Sequence, residues 1–232
     1  MKTMKRNGQP LRADTALTLP SLVAQAGYHI RARLPYKPSS HRYDITLCRQ
    51  KSFIWFRVPK VCTRTILYGL LDSGIRLDAE HPYGVYYPVE ETKQFFKFAF
   101  VRNPWDRIVS CWKDKVLERN LYNLPESKRQ DFGAFLSYVE TLDLDRCDGH
   151  LRLQSTMIDL NHVDFIGRYE TFSDDLAVVL RRLDVSPDKF PRRNTSAKSG
   201  SYTTTYANPT FIDRVARLYQ KDISIFRYSF DT

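Results

Sequence analysis

The stretch FIWFRVPKVCTRTILYGLL, residues 53–71, decides the fold. Its first six residues are β-branched or aromatic apart from Arg57, which predicts a buried strand. Pro59 ends that strand, and apolar residues at helical spacing follow over residues 63–71, before the stop signal of residues 72–74. The pattern predicts a strand, a tight turn and a helix in direct succession.

The same arrangement returns in FFKFAFVRNPWDRIVSCWKDKVL, residues 95–117. A strand is predicted over residues 95–101. The helix after it should begin at Pro104, because proline is favoured at the first helical position, and should run to residue 117. Farther outward the pattern predicts a short strand at 163–167 and helices at 132–142, 173–183 and 208–222. Strands that alternate with helices indicate an α/β fold, which we expect to be a P-loop-like three-layer sandwich with a mostly parallel central sheet flanked by helices.

Length and charge limit the kinds of protein to consider. With 232 residues the chain suits one domain, which we place at residues 51–232 after a partly ordered N-terminal extension of residues 1–50. A formal net charge of +10 predicts an anionic partner, such as a nucleotide, a glycan, nucleic acid or a membrane surface. The sequence has no apolar run of membrane-spanning length and no signal-peptide core, so we expect a soluble, cytoplasmic protein.

Residues 59–65, PKVCTRT, lie at the first junction between a strand and a helix. Backbone amides at such a junction can surround a phosphate, and side-chain donors are added by Lys60, Thr63, Arg64 and Thr65. The segment lacks the glycines of the pattern G-x-x-x-x-G-K-[ST], which counts against a nucleotide triphosphatase. A surface turn with an incidental lysine stays open as the alternative.

Arg102 occupies the corresponding place at the second junction, where the strand ends and the next helix begins. Ser110 follows about two helical turns later, on the face that also carries Arg107. An arginine and a serine that meet at one oxyanion suit a phosphate monoester. The alternative is a local ion pair between Arg102 and Asp106 that stabilises the helix start.

Together these two segments resemble the segments that bind 3′-phosphoadenosine 5′-phosphosulfate (PAPS) in carbohydrate sulfotransferases. Residues 148–154, DGHLRLQ, and 163–171, VDFIGRYET, are similar to the D-x-H-x-R-x-Q and Y-D-x-I-G-x-Y-E-T segments of the chondroitin and HNK-1 types. Residues 211–230 resemble the closing helix of the family and its D-I-x-x-F-x-Y motif. The resemblance implies a family 2 sulfotransferase that moves a sulfuryl group from PAPS to a hydroxyl acceptor. It favours a carbohydrate as that acceptor.

The resemblance also implies roles for individual residues. It assigns the 5′-phosphosulfate to the first loop, that is to Lys60, Val61, Cys62, Thr63, Arg64 and Thr65, and the 3′-phosphate to Arg102 and Ser110. A polar loop near the end of the chain closes over the nucleotide in related enzymes, so Ser196 and Lys198 are candidate contacts. For an anionic acceptor, the candidate contacts are Arg152 and Arg168.

Lys60 is the candidate that stabilises the leaving phosphate oxygen as negative charge develops there. Because a sulfuryl group carries less charge than a phosphoryl group, we expect no metal requirement. The acceptor hydroxyl needs a general base, and His81 is favoured, because heparan 2-O-sulfotransferases carry a catalytic histidine at a similar distance before the equivalent arginine. His150 is the rival, Glu80 and Glu90 stay open, and we interpret His41 and His162 as surface or capping residues.

Two other functions compete with sulfuryl transfer. A small nucleotide or small-molecule kinase would need a glycine-rich loop and a metal-binding acid at a strand end, and the sequence shows neither. A nucleic-acid-binding protein is suggested only by the net charge, without a recognisable binding module. We therefore expect an anionic or neutral glycan or another hydroxyl acceptor as partner, and no nucleic acid. Since eukaryotic family members are typically Golgi proteins with an N-terminal anchor, a Golgi-lumenal origin is the alternative if the chain is part of a longer protein.

Overall fold

The computed structural model describes residues 38–80, 82–187, 190 and 201–231, together with the backbone of two short paired strands, Lys5–Arg6 and Gln9–Pro10. Four longer strands form the central sheet: β1 (Ile45–Cys48), β2 (Phe53–Phe56), β3 (Phe96–Val101) and β4 (Phe165–Arg168). Their spatial order is β1-β2-β3-β4, with β1 antiparallel to β2 and the other pairs parallel. The predicted α/β fold with a mostly parallel sheet is confirmed.

Helices flank this sheet. They are α1 (Thr63–Asp72), α2 (Pro104–Cys111), α3 (Glu126–Arg129), α4 (Phe132–Val139), α5 (Phe172–Arg182), α6 (Thr210–Leu218) and α7 (Gln220–Phe226). Two short 3₁₀ turns lie at Gln154–Thr156 and Tyr202–Tyr206. No helix in the described part of the chain is long and apolar enough to cross a membrane.

Strand β1 is an element that the sequence pattern did not predict. It consists of four residues, all of them buried, and forms a hairpin with β2 in which Ile45 lies opposite Phe56. A strand this short carries too little periodicity to be recognised alone, and its position depends on pairing with β2. The sheet therefore begins before residue 51, and the division of the chain at residue 50 stays a prediction.

Two predicted helices differ in shape from the expectation. The helix predicted to run to residue 117 is α-helical only to Cys111 and continues as a π-helix over Trp112–Leu117. The helix predicted over 208–222 is interrupted at Tyr219, between α6 and α7. At this interruption the Tyr219 hydroxyl donates to the Leu151 carbonyl at 2.8 Å. The buried Asp222 carboxylate of α7 accepts from the backbone N–H of Gln154 at 2.7 Å.

The core is an aromatic layer built across the parallel strands. Trp55 of β2 and Phe98 of β3 are stacked with ring centroids 6.1 Å apart, and Phe100 packs on Phe172 of α5 at 5.4 Å. A Cβ atom at Gly167 of β4 would lie 2.5 Å from the Phe100 ring, so this close approach needs glycine. Since β2, β3 and β4 are parallel, the loops that follow them all leave at the same edge of the sheet.

Candidate functional site

The loop after β2 has an unusual backbone. Lys60 and Cys62 both lie in the left-handed region, with φ of 75° and 61°. Such conformations cost free energy in residues other than glycine, so neighbouring contacts must hold them. Two contacts do so: the Thr63 hydroxyl donates to the Val58 carbonyl at 2.8 Å, and the Arg102 guanidinium donates to the Lys60 carbonyl at 3.0 Å.

This loop leads directly into the N-terminus of α1. Within the described residues, the amides of Val61, Thr63 and Arg64 donate no hydrogen bond. Free amides at the start of a helix, together with the helix dipole, form a binding site for an anion. The side chains of Val61 and Thr65 are buried, whereas Arg64 is exposed. The backbone of the loop is therefore available to an anion, as the sequence predicts for a phosphate loop.

Lys60 is held by Asp114, a residue of the π-helix. The Lys60 Nζ atom lies 2.8 Å from the Asp114 Oδ2 atom, and both side chains are mostly buried. Burial lowers the pKa of Lys60, and the hydrogen bond to Asp114 opposes that shift. Burial acts to raise the pKa of Asp114, but Lys60, Lys115 and Arg119 outweigh it and leave the pKa below its usual value. The two groups thus form an ion pair, in which the ammonium group of Lys60 donates a hydrogen bond to the Asp114 carboxylate.

Arg102 is fixed at the end of β3 through both its backbone and its side chain. The buried side-chain amide of Gln154 accepts from the backbone N–H of Arg102 at 2.9 Å through Oε1 and donates to the Arg102 carbonyl at 2.8 Å through Nε2. The guanidinium pairs with Asp106 at 2.8 Å and lies 3.8 Å from the centroid of the Tyr169 ring. The local ion pair with Asp106 is therefore present.

A cleft of about 190 Å³ lies between the first loop and the helix after β3. It is lined by Lys60, Arg102, Asp106, Val109, Ser110, Lys113, Asp114, Glu118 and Tyr202. Lys60, Arg102 and Ser110, which the sequence assigned to two different segments, thus share one cleft. Its volume is below the range typical of ligand pockets, about 300–1,000 Å³. The Lys60–Asp114 ion pair joins two of its lining residues.

Two acidic residues of this cleft, Asp114 and Glu118, were not among the candidates predicted from the sequence. Asp106, Ser110, Asp114 and Glu118 follow one another at intervals of four residues. That spacing places side chains on one helix face, so a signal for their grouping was available in the sequence. Tyr202 lies far away in the chain and had no such signal.

Arg107 does not share the face of Ser110 at the cleft. Its side chain is 2% exposed, and its guanidinium donates to the carbonyls of Pro59, Gly149 and Arg152 at 3.3, 2.8 and 2.8 Å. One buried cation therefore joins the first loop to the segment of residues 149–152. This role is structural, because carbonyl groups already accept from the guanidinium.

The remaining predicted site residues stand as follows. The Arg152 guanidinium donates to the Cys147 carbonyl at 2.9 Å, and the Arg168 guanidinium donates to the Phe226 carbonyl and lies 4.5 Å from the Tyr228 ring centroid. These contacts are within the protein, so binding of acceptor by Arg152 and Arg168 stays a prediction. His81, Ser196 and Lys198 lie outside the described residues.

Among the described histidines, His150 directly follows Gly149, which packs against Pro59 of the first loop. Its Nδ1 atom is 2.8 Å from Asp148 Oδ1, and its side chain is 27% exposed. His162 makes a similar contact with Asp159, at 3.0 Å, but it precedes β4 and so lies at the opposite edge of the sheet. His41 is bound to the Ser40 hydroxyl at 2.9 Å on the surface.

A larger concavity of about 570 Å³ is lined by Gln50, Gly74, Arg76 and Asp78. Gln50 precedes β2, which places this surface at the amino edge of the parallel strands. Ligands of open α/β sheets bind at the carboxyl edge instead. The smaller cleft is therefore the candidate site.

Known proteins with similar sequences indicate the family of this chain. A family model described as "Sulfotransferase family" matches residues 79–229, more than half of the chain. Human carbohydrate sulfotransferase 14 is 27% identical over 219 residues, covering 76% of this chain and 57% of the relative. Carbohydrate sulfotransferase 11 of Rattus norvegicus is 27% identical over 174 residues, covering 59% of this chain and 48% of the relative. The chain thus spans about half the length of these relatives, and no solved structure matches it significantly.

Proposed function

The chain belongs to the sulfotransferase family, and from that premise we propose that it transfers a sulfuryl group from PAPS to a hydroxyl group of a carbohydrate. The observation that carries the proposal is the cleft in which Lys60, Arg102 and Ser110 meet at the carboxyl edge of the sheet. The named relatives are carbohydrate sulfotransferases, which supports a glycan acceptor. The proposal requires no metal ion.

The cleft offers groups that suit the two charged ends of the donor. Lys60 and the free amides at the start of α1 would hold the 5′-phosphosulfate, and Arg102 with Ser110 would hold the 3′-phosphate. The donor, when bound, supplies an activated sulfuryl group. Lys60 would then stabilise negative charge on the leaving phosphate oxygen. In the structure the ammonium group contacts the Asp114 carboxylate at 2.8 Å, and we expect the donor to compete with that carboxylate for it.

The domain limits and the place of the protein in the cell are part of this proposal. We keep residues 51–232 as the sulfotransferase domain, with β1 of the preceding segment completing its sheet. A cytoplasmic protein and a Golgi-lumenal one are both compatible with the proposed chemistry. Fractionation of cells that express the natural protein separates the two.

Thermal unfolding in the presence of nucleotides tests the donor assignment. At a concentration about 100 times its Kd, 3′,5′-ADP should stabilise the protein by about 2.7 kcal/mol, which raises Tm by about 5–10 °C in a chain of this size. ATP with Mg²⁺ and duplex DNA should give smaller shifts at equal concentration. A clear shift with ATP and Mg²⁺, or with DNA, and none with 3′,5′-ADP would contradict the proposal and favour a kinase or a nucleic-acid-binding protein.

Substitution of Asp114 by asparagine should strengthen the binding of 3′,5′-ADP. The carboxylate competes with the donor for Lys60, and an ion pair of this kind is worth about 0.6–1 kcal/mol, so affinity should rise about three- to fivefold. Isothermal titration calorimetry measures the change. Asp145→Asn is the matched control, because Asp145 is an exposed carboxylate 3.8 Å from Lys221. Unchanged or weaker binding by Asp114→Asn would mean that Asp114 does not compete with the donor.

A further inference from the structure

The Asp148 carboxylate is a meeting point for three hydrogen-bond donors. Its Oδ1 atom accepts from the His150 ring Nδ1 at 2.8 Å, from the His150 backbone amide at 3.1 Å and from the Tyr122 hydroxyl at 2.9 Å. The Asp148 carboxylate is therefore held between the His150 side chain and the Tyr122 hydroxyl. His150 is partly exposed, whereas the Tyr122 hydroxyl is held on its other side by the Cys111 thiol at 3.7 Å.

This network decides which ring nitrogen of His150 carries the proton. The hydrogen bond from His150 holds the pKa of Asp148 well below its usual value, although burial opposes that shift. Burial, with Cys111 and Asp148 nearby, raises the pKa of Tyr122, so the phenol stays a donor. An ionised carboxylate can only accept. Nδ1 of neutral His150 therefore bears the proton, and Nε2 has the free lone pair.

The same turn lies against the first loop. The Gly149 carbonyl accepts from the buried Arg107 guanidinium, whose Nε atom donates to the Pro59 carbonyl. A Cβ atom at Gly149 would be 3.4 Å from the Pro59 ring. Because Pro59 directly precedes Lys60, the turn that carries His150 is anchored beside the residue assigned to the leaving group.

We propose that His150 deprotonates the acceptor hydroxyl through Nε2, and that Asp148 is the positioning residue that sets its tautomer and orientation. The inference rests on the proposed function. In the step, the acceptor O–H bond breaks and its proton passes to Nε2, while the acceptor oxygen forms a bond to sulfur. The bond between sulfur and the bridging phosphate oxygen breaks, and that oxygen keeps the electron pair beside Lys60.

Other titratable and charged groups surround this turn. They are Asp148 and Cys147 on the turn itself, Tyr122 from the loop after the π-helix, Cys111 and Arg107 from α2, and Arg152 from the following segment. Both arginines donate to backbone carbonyls of the turn or next to it. Asp148 is the carboxylate in contact with the imidazole, so its removal changes the charge next to His150 most directly.

Nitrogen NMR of protein with ¹⁵N-labelled histidine tests the tautomer without any acceptor. The His150 resonances are identified by their loss in His150→Gln. At a pH at which the ring is neutral, they should show the Nδ1–H tautomer in the wild type. Asp148→Ala should move the population toward the Nε2–H form, which is favoured in free histidine. A wild-type His150 in the Nε2–H form would overturn the inference, because Nε2 would then lack a lone pair.

Turnover measurements test the catalytic role. The assay uses PAPS and a mixture of desulfated glycans with detection by mass spectrometry. His150→Gln and Asp148→Asn should each lower turnover by about 100-fold while 3′,5′-ADP binds as in the wild type. The matched control is His162→Gln, which breaks a similar pair at the other edge of the sheet and should retain full turnover.

Each outcome has a distinct meaning. Full turnover in His150→Gln would overturn the inference, and a parallel loss in His81→Ala would place the base at His81 instead. Reduced turnover in Asp148→Asn together with an unchanged His150 tautomer in Asp148→Ala would make Asp148 a purely structural residue and overturn its positioning role. A wild-type protein that binds no 3′,5′-ADP would overturn the proposed function, and this inference with it.

Discussion

Replacing Lys60 by alanine should lower the rate of sulfuryl transfer by about 10²–10³-fold, because the leaving phosphate oxygen loses the cation that stabilises its developing charge. The ammonium group lies in a mostly buried cleft, where its charge is screened less than on the surface. The effect should appear in the chemical step, so single-turnover measurements with labelled PAPS are the appropriate readout. Binding of 3′,5′-ADP should weaken less than turnover, since Arg102 and the loop amides remain.

The fold should survive this substitution. Asp114 keeps Lys115 at 3.5 Å and Arg119 at 3.1 Å after Lys60 is removed, so its charge is not left unpaired. Lys93→Ala is the matched control, because Lys93 is an exposed lysine that precedes β3 at the opposite edge of the sheet. A Lys60→Ala enzyme with a near wild-type rate and an unchanged Tm would contradict the leaving-group role.

Replacing Arg102 by alanine should nearly abolish the contribution of the 3′-phosphate to binding. A charge-assisted contact between an arginine and a phosphate in a partly buried site is worth about 2–4 kcal/mol, or about 30- to 1,000-fold in Kd. The decisive comparison uses two ligands, 3′,5′-ADP and 5′-AMP, which differ only in that phosphate. The wild type should bind 3′,5′-ADP much more tightly, and Arg102→Ala should bind the two almost equally.

The comparison of two ligands also separates recognition from structural damage. Arg102 supports the Lys60 carbonyl and pairs with Asp106, so alanine will disturb the loop and weaken both nucleotides to some extent. Arg102→Lys keeps the charge without the planar group and should recover part of the difference. Arg182→Ala, which removes an exposed arginine above the Phe96 ring, should leave both affinities unchanged. If Arg102→Ala keeps the full preference for 3′,5′-ADP, another residue binds the 3′-phosphate.

Local patterns were sufficient for much of the fold and for part of the site. The aromatic runs at residues 53–58 and 95–101 form β2 and β3, and each is followed by a helix as expected. The meeting of Lys60, Arg102 and Ser110 also follows from the sequence, because parallel strands bring their carboxyl ends to one edge. No long-range contact had to be known for these conclusions.

Only tertiary contacts decided the rest, since it depends on residues far apart in the chain. Whether Lys60 is free or paired depends on Asp114, 54 positions away, and the buried Arg107 contacts carbonyls 42 to 48 positions away. Strand β1 is formed by pairing with β2. At the interruption between α6 and α7, the Tyr219 hydroxyl donates to the carbonyl of Leu151, which lies in a distant loop. The aromatic and proline pattern of residues 53–71 was therefore enough to predict a strand, a turn and a helix. The side chains that Lys60 contacts within that turn were set by three-dimensional packing, because hydrogen bonds and ion pairs are chosen by proximity in space and leave no periodic signal in the sequence.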